Sequence, residues 1–346
     1  MLNNVRLKHI DSIRAIAALL VVWQHTSEVF RDITNSGIWL FQIANAVDFG
    51  RIGVVIFFCV SGFVIPSSLK GEKLAGIKQF VTKRFFRLYP AYWVSIPLGW
   101  FTSWYIWGKH ISLKEVLLNF TMLPEFFHVT SIEGLYWTLQ TELFFYLICV
   151  CLFALNFLHK EKVLGIISLA LLGFYLEQFL AGKANPTILH LSIMFWGALF
   201  RKYYDGNKDK FTYAALAIFW LLIVIGLPAW GYKQIGIVGY DEFVLKFVSS
   251  YVISMIIFIV FALFIKIENP SLSYMGEISY SIYLFHPVVF YPIFKLAGYF
   301  SWMYNHHLSI YMLISTILTI VFATITYKYI EIPFINKGKA VSKNLL

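Results

Sequence analysis

Ten stretches of this 346-residue chain are apolar enough to sit in a lipid bilayer, and that pattern restricts the fold more than any motif does. In hydrocarbon each backbone N–H and C=O must find its partner within the protein, so unbroken apolar runs of about 20 residues cross as helices. The runs fall near 10–30, 48–66, 86–107, 136–158, 163–180, 187–200, 213–230, 244–265, 278–300 and 308–330, the sixth being short. Hydrophobic residues make up 59% of the chain and charged ones 13%. A soluble domain of this length cannot hide so much apolar surface. The expected fold is therefore all-α: a polytopic integral membrane protein of about ten transmembrane helices, forming a single domain over residues 1–346. The first apolar run is too long for a cleavable signal peptide and lacks a small-residue cleavage site. Between the third and fourth spans, SLKEVLLNFTML in segment 108–135 reads as an interfacial or re-entrant helix.

Charge sets the orientation. With an even number of spans both termini share one side, and that side collects twenty of the 28 lysines and arginines. Short basic loops stay inside, so both termini are expected in the cytoplasm. The net charge of +10 thus belongs to loops beside membrane spans, where it meets anionic lipid, and not to a nucleic-acid partner. Cys59, Cys149 and Cys151 lie within apolar spans and suggest neither a disulfide framework nor a metal site.

The first span carries groups that hydrocarbon penalises: Asp11, Arg14 and His25. At about 100° per residue, Arg14 and His25 fall within about 20° of each other, with Asp11 and Ala18 on the same stripe. That stripe would run about 16 Å from Arg14 near the cytoplasmic face to His25 in the outer half. Glu142, about six residues below the outer face in the fourth span, comes out at nearly the height of His25, and His286 comes out nearer mid-membrane.

Each group has a chemical reading and a packing one. The imidazole of His25 can take a hydroxyl proton and return it, or simply bond a backbone carbonyl. Glu142, in GLYWTLQTELFFYL, can orient such an imidazole or pair with an arginine inside the bundle. Lys83, Arg84 and Arg87 in TKRFFRLYP stand at a cytoplasmic mouth; Arg84 and Arg87 share a helix face and suit a phosphate or pyrophosphate, or serve only as membrane anchors. Ser61-Gly62 in FFCVSGFVIP admits a slender ligand or a close helix neighbour. His286 precedes a helix-interrupting proline and can line a pore. Tyr136 and Trp137 are belt residues or substrate platforms. Inward-facing His, Arg and Glu would equally suit a transporter of protons, anions or a carboxylate, although no second copy of the Arg14–His25 stripe is present to make the internal repeat common in transporters.

Taken together, IDSIRAIAALLVVWQH, FFCVSGFVI, RFFR, LYWTLQTELFFYL, SYSIYLFHPV and YKYIEIPF resemble, in order, the motifs of the membrane-bound acyltransferase family 3, the bacterial surface-glycan O-acetyltransferases. The resemblance covers nearly the whole chain and is to the stand-alone form without a C-terminal hydrolase-like domain. It implies an enzyme of the bacterial inner membrane, with acetyl-CoA as cytoplasmic acyl donor and a glycan or lipid-linked sugar hydroxyl as acceptor, and with no metal. Carried over, Arg14, Arg84, Arg87 and Lys83 would hold the coenzyme, and His25 and Glu142 would serve acyl transfer. Asp11, Ser61, Tyr136, Trp137 and His286 would line the path or meet substrate. Loops 108–135 and 231–243 would face the acceptor.

Overall fold

The computed structural model describes residues 7–231 and 244–344, so most of the expected acceptor loop 231–243 lies outside the described residues. Among these residues the secondary structure is helical, with no strand. The helices are α1 (Lys8–Phe30), α2 (Trp39–Val47), α3 (Phe49–Val64), α4 (Lys73–Gly99), α5 (Leu113–Asn119), α6 (Tyr136–Ala154), α7 (Glu161–Leu180), α8 (Pro186–Tyr204), α9 (Lys210–Leu221), α10 (Leu227–Gly231), α11 (Val244–Leu263), α12 (Pro270–Glu277), α13 (Ser279–Tyr299), α14 (Leu308–Thr326) and α15 (Ile332–Lys343). Single π-helical turns continue α4 at Trp100–Trp104, join α9 to α10 at Leu222–Gly226, and join α14 to α15 at Tyr327–Glu331.

Every expected span falls on a helix, and six helical stretches are long and apolar enough to cross a membrane: Phe49–Ser68, Tyr136–Ala154, Glu161–Leu180, Lys210–Ala229, Val244–Leu263 and Leu308–Lys343. The helices on the other four expected spans are α1, α4, α8 and α13, which carry His25, Arg84, His190 and His286 respectively. One boundary differs strongly from expectation. α4 begins at Lys73 and not near residue 86, so RFFR sits about three turns into a helix. Lysine and glutamine are good helix formers but depress hydropathy, which hides the polar start of a helix from an apolar window. The expected interfacial segment does contain a helix, α5, closed at its start by a capping box in which Ser112 and Glu115 exchange hydrogen bonds.

The chain forms two compact units. The first comprises residues 1–17, 46–73 and 144–276. Its central contact is between α3 and α8. A Cβ on Gly62 would stand 2.0 Å from the Met194 carbonyl oxygen, and one on Gly197 would stand 2.6 Å from that of Cys59. Lipid gives apolar helices no reason to associate, so such backbone-to-backbone approach supplies the packing that does. Gly62 of the small-residue motif is thus a packing glycine. Around it Trp196 is buried against Phe200 (5.2 Å between centroids), Phe219 (6.1 Å) and Phe258 (6.3 Å), pairs worth about 0.5–1.5 kcal/mol each. α3 starts on Asp48, whose side chain accepts from the Arg51 amide at 2.8 Å and pairs with the Arg51 guanidinium at 3.0 Å.

The second unit comprises residues 18–45, 74–143 and 277–346. α13 is its axis: every residue from Ser279 to Val288 is buried, and the helix packs along α14. The end of α1 is pinned here. Phe30 stacks on Tyr311 at 5.1 Å within a cluster with Leu40, Phe290 and Leu308, and the Tyr311 hydroxyl donates to the Met303 carbonyl at 2.6 Å. That anchor fixes the last two turns of α1, where His25 stands.

Candidate active site

His25 lies on α1 between two partners. Its Nδ1 is 3.4 Å from Glu28 Oε2, one turn further along the same helix, and its ring stacks on that of His286 at 5.3 Å and 23°. The Gln24 amide donates to the other carboxylate oxygen, Glu28 Oε1, at 2.8 Å. A carboxylate only accepts, so a neutral His25 facing it carries its proton on Nδ1 and leaves Nε2 as the base. The His25 side chain is 44% exposed. His286 is buried, with Nδ1 2.7 Å from the Tyr283 carbonyl. That carbonyl also only accepts, so Nδ1 holds the proton there too.

The sequence count had set His286 deeper than His25, whereas the two rings touch. The count assumed that α13 starts at the membrane boundary, but helix α12 precedes it directly, so position along α13 does not measure depth. Glu142 lies half-buried on α6, with its charge bearing on the phenols of Tyr280 and Tyr283. The Tyr283 hydroxyl is 2.9 Å from that of Thr138 on α6, which ties α6 to the histidine helix. Among the contacts described, the carboxylate facing His25 is that of Glu28. WQHTSE held this signal: Gln24 and His25 stand four and three residues before Glu28, on one helix face.

The other expected residues divide by unit. In the first unit Arg14 pairs with Asp11 at 3.9 Å, Asp11 being buried and Arg14 partly so, and Ser61 is half-buried on α3. In the second unit Lys83 reaches Gln79 Oε1 at 3.5 Å, and the Arg84 guanidinium lies 5.6 Å from the Phe80 ring centroid. Arg87 bears electrostatically on Tyr327, whose hydroxyl donates to Glu277 Oε2 at 3.2 Å. Tyr136 is buried, with its hydroxyl 2.8 Å from Ser95 Oγ, while Trp137 is half-buried. Ahead of α6, Glu133 is enclosed beside Gly99 and accepts from Ser103 at 2.7 Å. Burial pushes its carboxyl up to about 7 against the pull of that hydrogen bond. Among the described residues no group of three or more His, Cys, Asp or Glu side chains could hold a metal ion.

A base oriented by a carboxylate is equipment for moving a proton to and from a hydroxyl. Comparison with known proteins decides the family. The model of the acyltransferase 3 family, described as an acyltransferase domain, matches residues 7–328. The chain belongs to this family. Among curated relatives, this acyltransferase is 25% identical over 297 residues to a putative acetyltransferase, ORF330, of Acidianus two-tailed virus, covering 80% of this chain and 81% of that one. It is 22% identical over 361 aligned positions to nodulation protein 10 of Rhizobium leguminosarum bv. viciae, covering 93% of this chain and 92% of the other. No solved structure matches significantly. The acyltransferase is all-helical among its described residues and has the apolar helices of a multi-pass membrane protein.

Proposed function

We propose that this acyltransferase moves an acyl group, acetyl in the first instance, from cytoplasmic acyl-CoA to a hydroxyl of a lipid-linked or surface glycan beyond a bacterial inner membrane. Ten spans with both termini inside agree with the helix positions and with the bias of lysines and arginines, and the family match running through both units supports one functional domain. The observation that carries the chemistry is the half-exposed His25 held at Nδ1 by Glu28.

In this reading Lys83, Arg84 and Arg87 grip the coenzyme's phosphates, and Arg14, balanced by Asp11, guides its arm. His25 Nε2 takes the proton of the acceptor hydroxyl as its oxygen bonds to the thioester carbonyl carbon. The C–S bond then breaks, and the thiolate leaves with the proton returned from the imidazolium. Glu28, steadied by Gln24, holds the imidazolium, a task the sequence had given to Glu142. Glu142 remains a carboxylate among the phenols of α13. Ser61, Trp137 and His286 are substrate contacts or lining in this scheme, and Tyr136 contributes through Ser95.

The test is mass spectrometry of the host's surface polysaccharide with the gene intact, deleted, or carrying His25→Ala. The deletion and the variant should both lack one acyl mass per acceptor unit. Polysaccharide unchanged by the deletion, or acylated normally by a folded variant, would leave the proposal without support.

A further inference from the structure

The basic stretch of α4 has a partner helix, α15, whose lysines lie beyond the YKYIEIPF motif and have no part in the chemistry proposed above. α4 has 27 residues and the run Leu308–Lys343 has 36, so they are about 40 Å and about 54 Å long. A hydrocarbon core is about 30 Å thick, and each is longer than that. Their basic ends meet at Phe86, the residue between Arg84 and Arg87. Gly338 of α15 rests there so closely that a Cβ would stand 2.7 Å from Phe86 Cβ. The Phe334 ring stacks on Phe86 at 6.4 Å, and Lys337 Nζ lies 5.9 Å from its centroid.

The charges on the two helices do not offset one another. α4 brings Lys83, Arg84 and Arg87, α15 brings Lys337, Lys339 and Lys343, and neither contains a carboxylate. Around the α4 axis Phe86 stands about 60° from Lys83 and about 100° from Arg87, so Lys337 arrives at the flank of the same cationic group. Like charges clasped by apolar contacts suit an anion that is shared between both helices.

We propose that α15 is the second wall of the donor site and that Lys337 binds the 3′-phosphate of the coenzyme. This rests on the acyl-CoA reading above. The thioester arm and the 3′-phosphate lie at opposite ends of the coenzyme. Arg84 and Arg87 share one face of α4 and suit the paired charges of the pyrophosphate, while Lys337 enters at their flank from the other helix, so the separate 3′-phosphate falls to α15. A phosphomonoester of about two negative charges is a point target suited to an ammonium group.

Equilibrium binding of labelled CoA and labelled 3′-dephospho-CoA to the full-length protein tests this without needing the acceptor. Measurements would use vesicles of pure phosphatidylcholine and vesicles of equimolar phosphatidylcholine and phosphatidylglycerol. Lys337→Gln should weaken CoA about tenfold and leave 3′-dephospho-CoA within about twofold of the wild type, in both lipids. Gly338→Val, which forces α15 off Phe86, should weaken CoA at least as much. Equal weakening of both ligands, or none, overturns the assignment while wild-type binding preserves the acyl-CoA reading. An effect confined to the anionic vesicles overturns it in favour of a lipid-facing lysine. Wild-type protein that binds neither ligand removes both the assignment and the reading beneath it.

Discussion

Two helical histidines, one in each unit, have opposite surroundings. His190 on α8 is 2% exposed; its Nε2 is 2.9 Å from the Tyr251 hydroxyl and its ring 4.8 Å from that of Phe58. His25 is pinned by a carboxylate at one nitrogen, supported by His286 on one ring face, and 44% exposed at its side chain. Burial makes His190 part of the packing, whereas a carboxylate at Nδ1 and a half-exposed ring suit His25 to the role of base proposed above. His190 sits among the packed rings of α3, α8 and α11, while the His25 side chain stays half exposed.

Substitutions should separate these two roles. His25→Ala should lower acyl transfer at least about a hundredfold with the melting temperature in detergent nearly unchanged; a comparable loss of stability would place His25 with His190. Glu28→Gln should reduce kcat about ten- to a hundredfold and leave donor KM near wild type, because the carboxylate acts through His25 and not on the donor. Equal loss from Glu142→Gln alone, with Glu28→Gln silent, would return the orienting role to Glu142.

His190→Ala should behave the opposite way, costing about 3 kcal/mol of stability through the emptied space and the lost hydrogen bond to Tyr251. Its activity per folded molecule should remain close to normal, and a specific loss of turnover would erase the contrast. The last effect, which vanishes at low pH, concerns Glu133. With its carboxyl raised from 4.5 to about 7, the folded chain keeps a proton that the unfolded chain releases. Stability therefore falls as pH rises across that window and stays reduced above it. Glu133→Gln should melt higher than wild type at about pH 8, by about 3 kcal/mol at most, and alike at about pH 4. A pH-independent difference would mean that burial does not govern this carboxyl.

Most of the helical layout was legible because bilayer thickness and backbone hydrogen bonding leave an apolar run one solution. The start of α4 was not, since its opening turns carry lysine and glutamine, which form helix well but depress hydropathy. At the site, the periodicity of α1 placed Arg14 and His25 on one stripe but not the neighbours of that stripe. Glu28 is readable from its three-residue spacing to His25, whereas the contacts of Glu142, on another helix, follow from packing that residue counting does not encode. The stacking of His286 on His25 depends on how α12 feeds α13, which residue counting does not encode.

Vectorial transfer is the claim to test most directly. Sealed vesicles of one orientation would hold the glycan acceptor on the extracytoplasmic side, and labelled acetyl-CoA, which does not cross lipid, would be added to the cytoplasmic side. The account predicts label on the enclosed glycan, abolished by His25→Ala. Label that appears only when donor and acceptor share a side would contradict it.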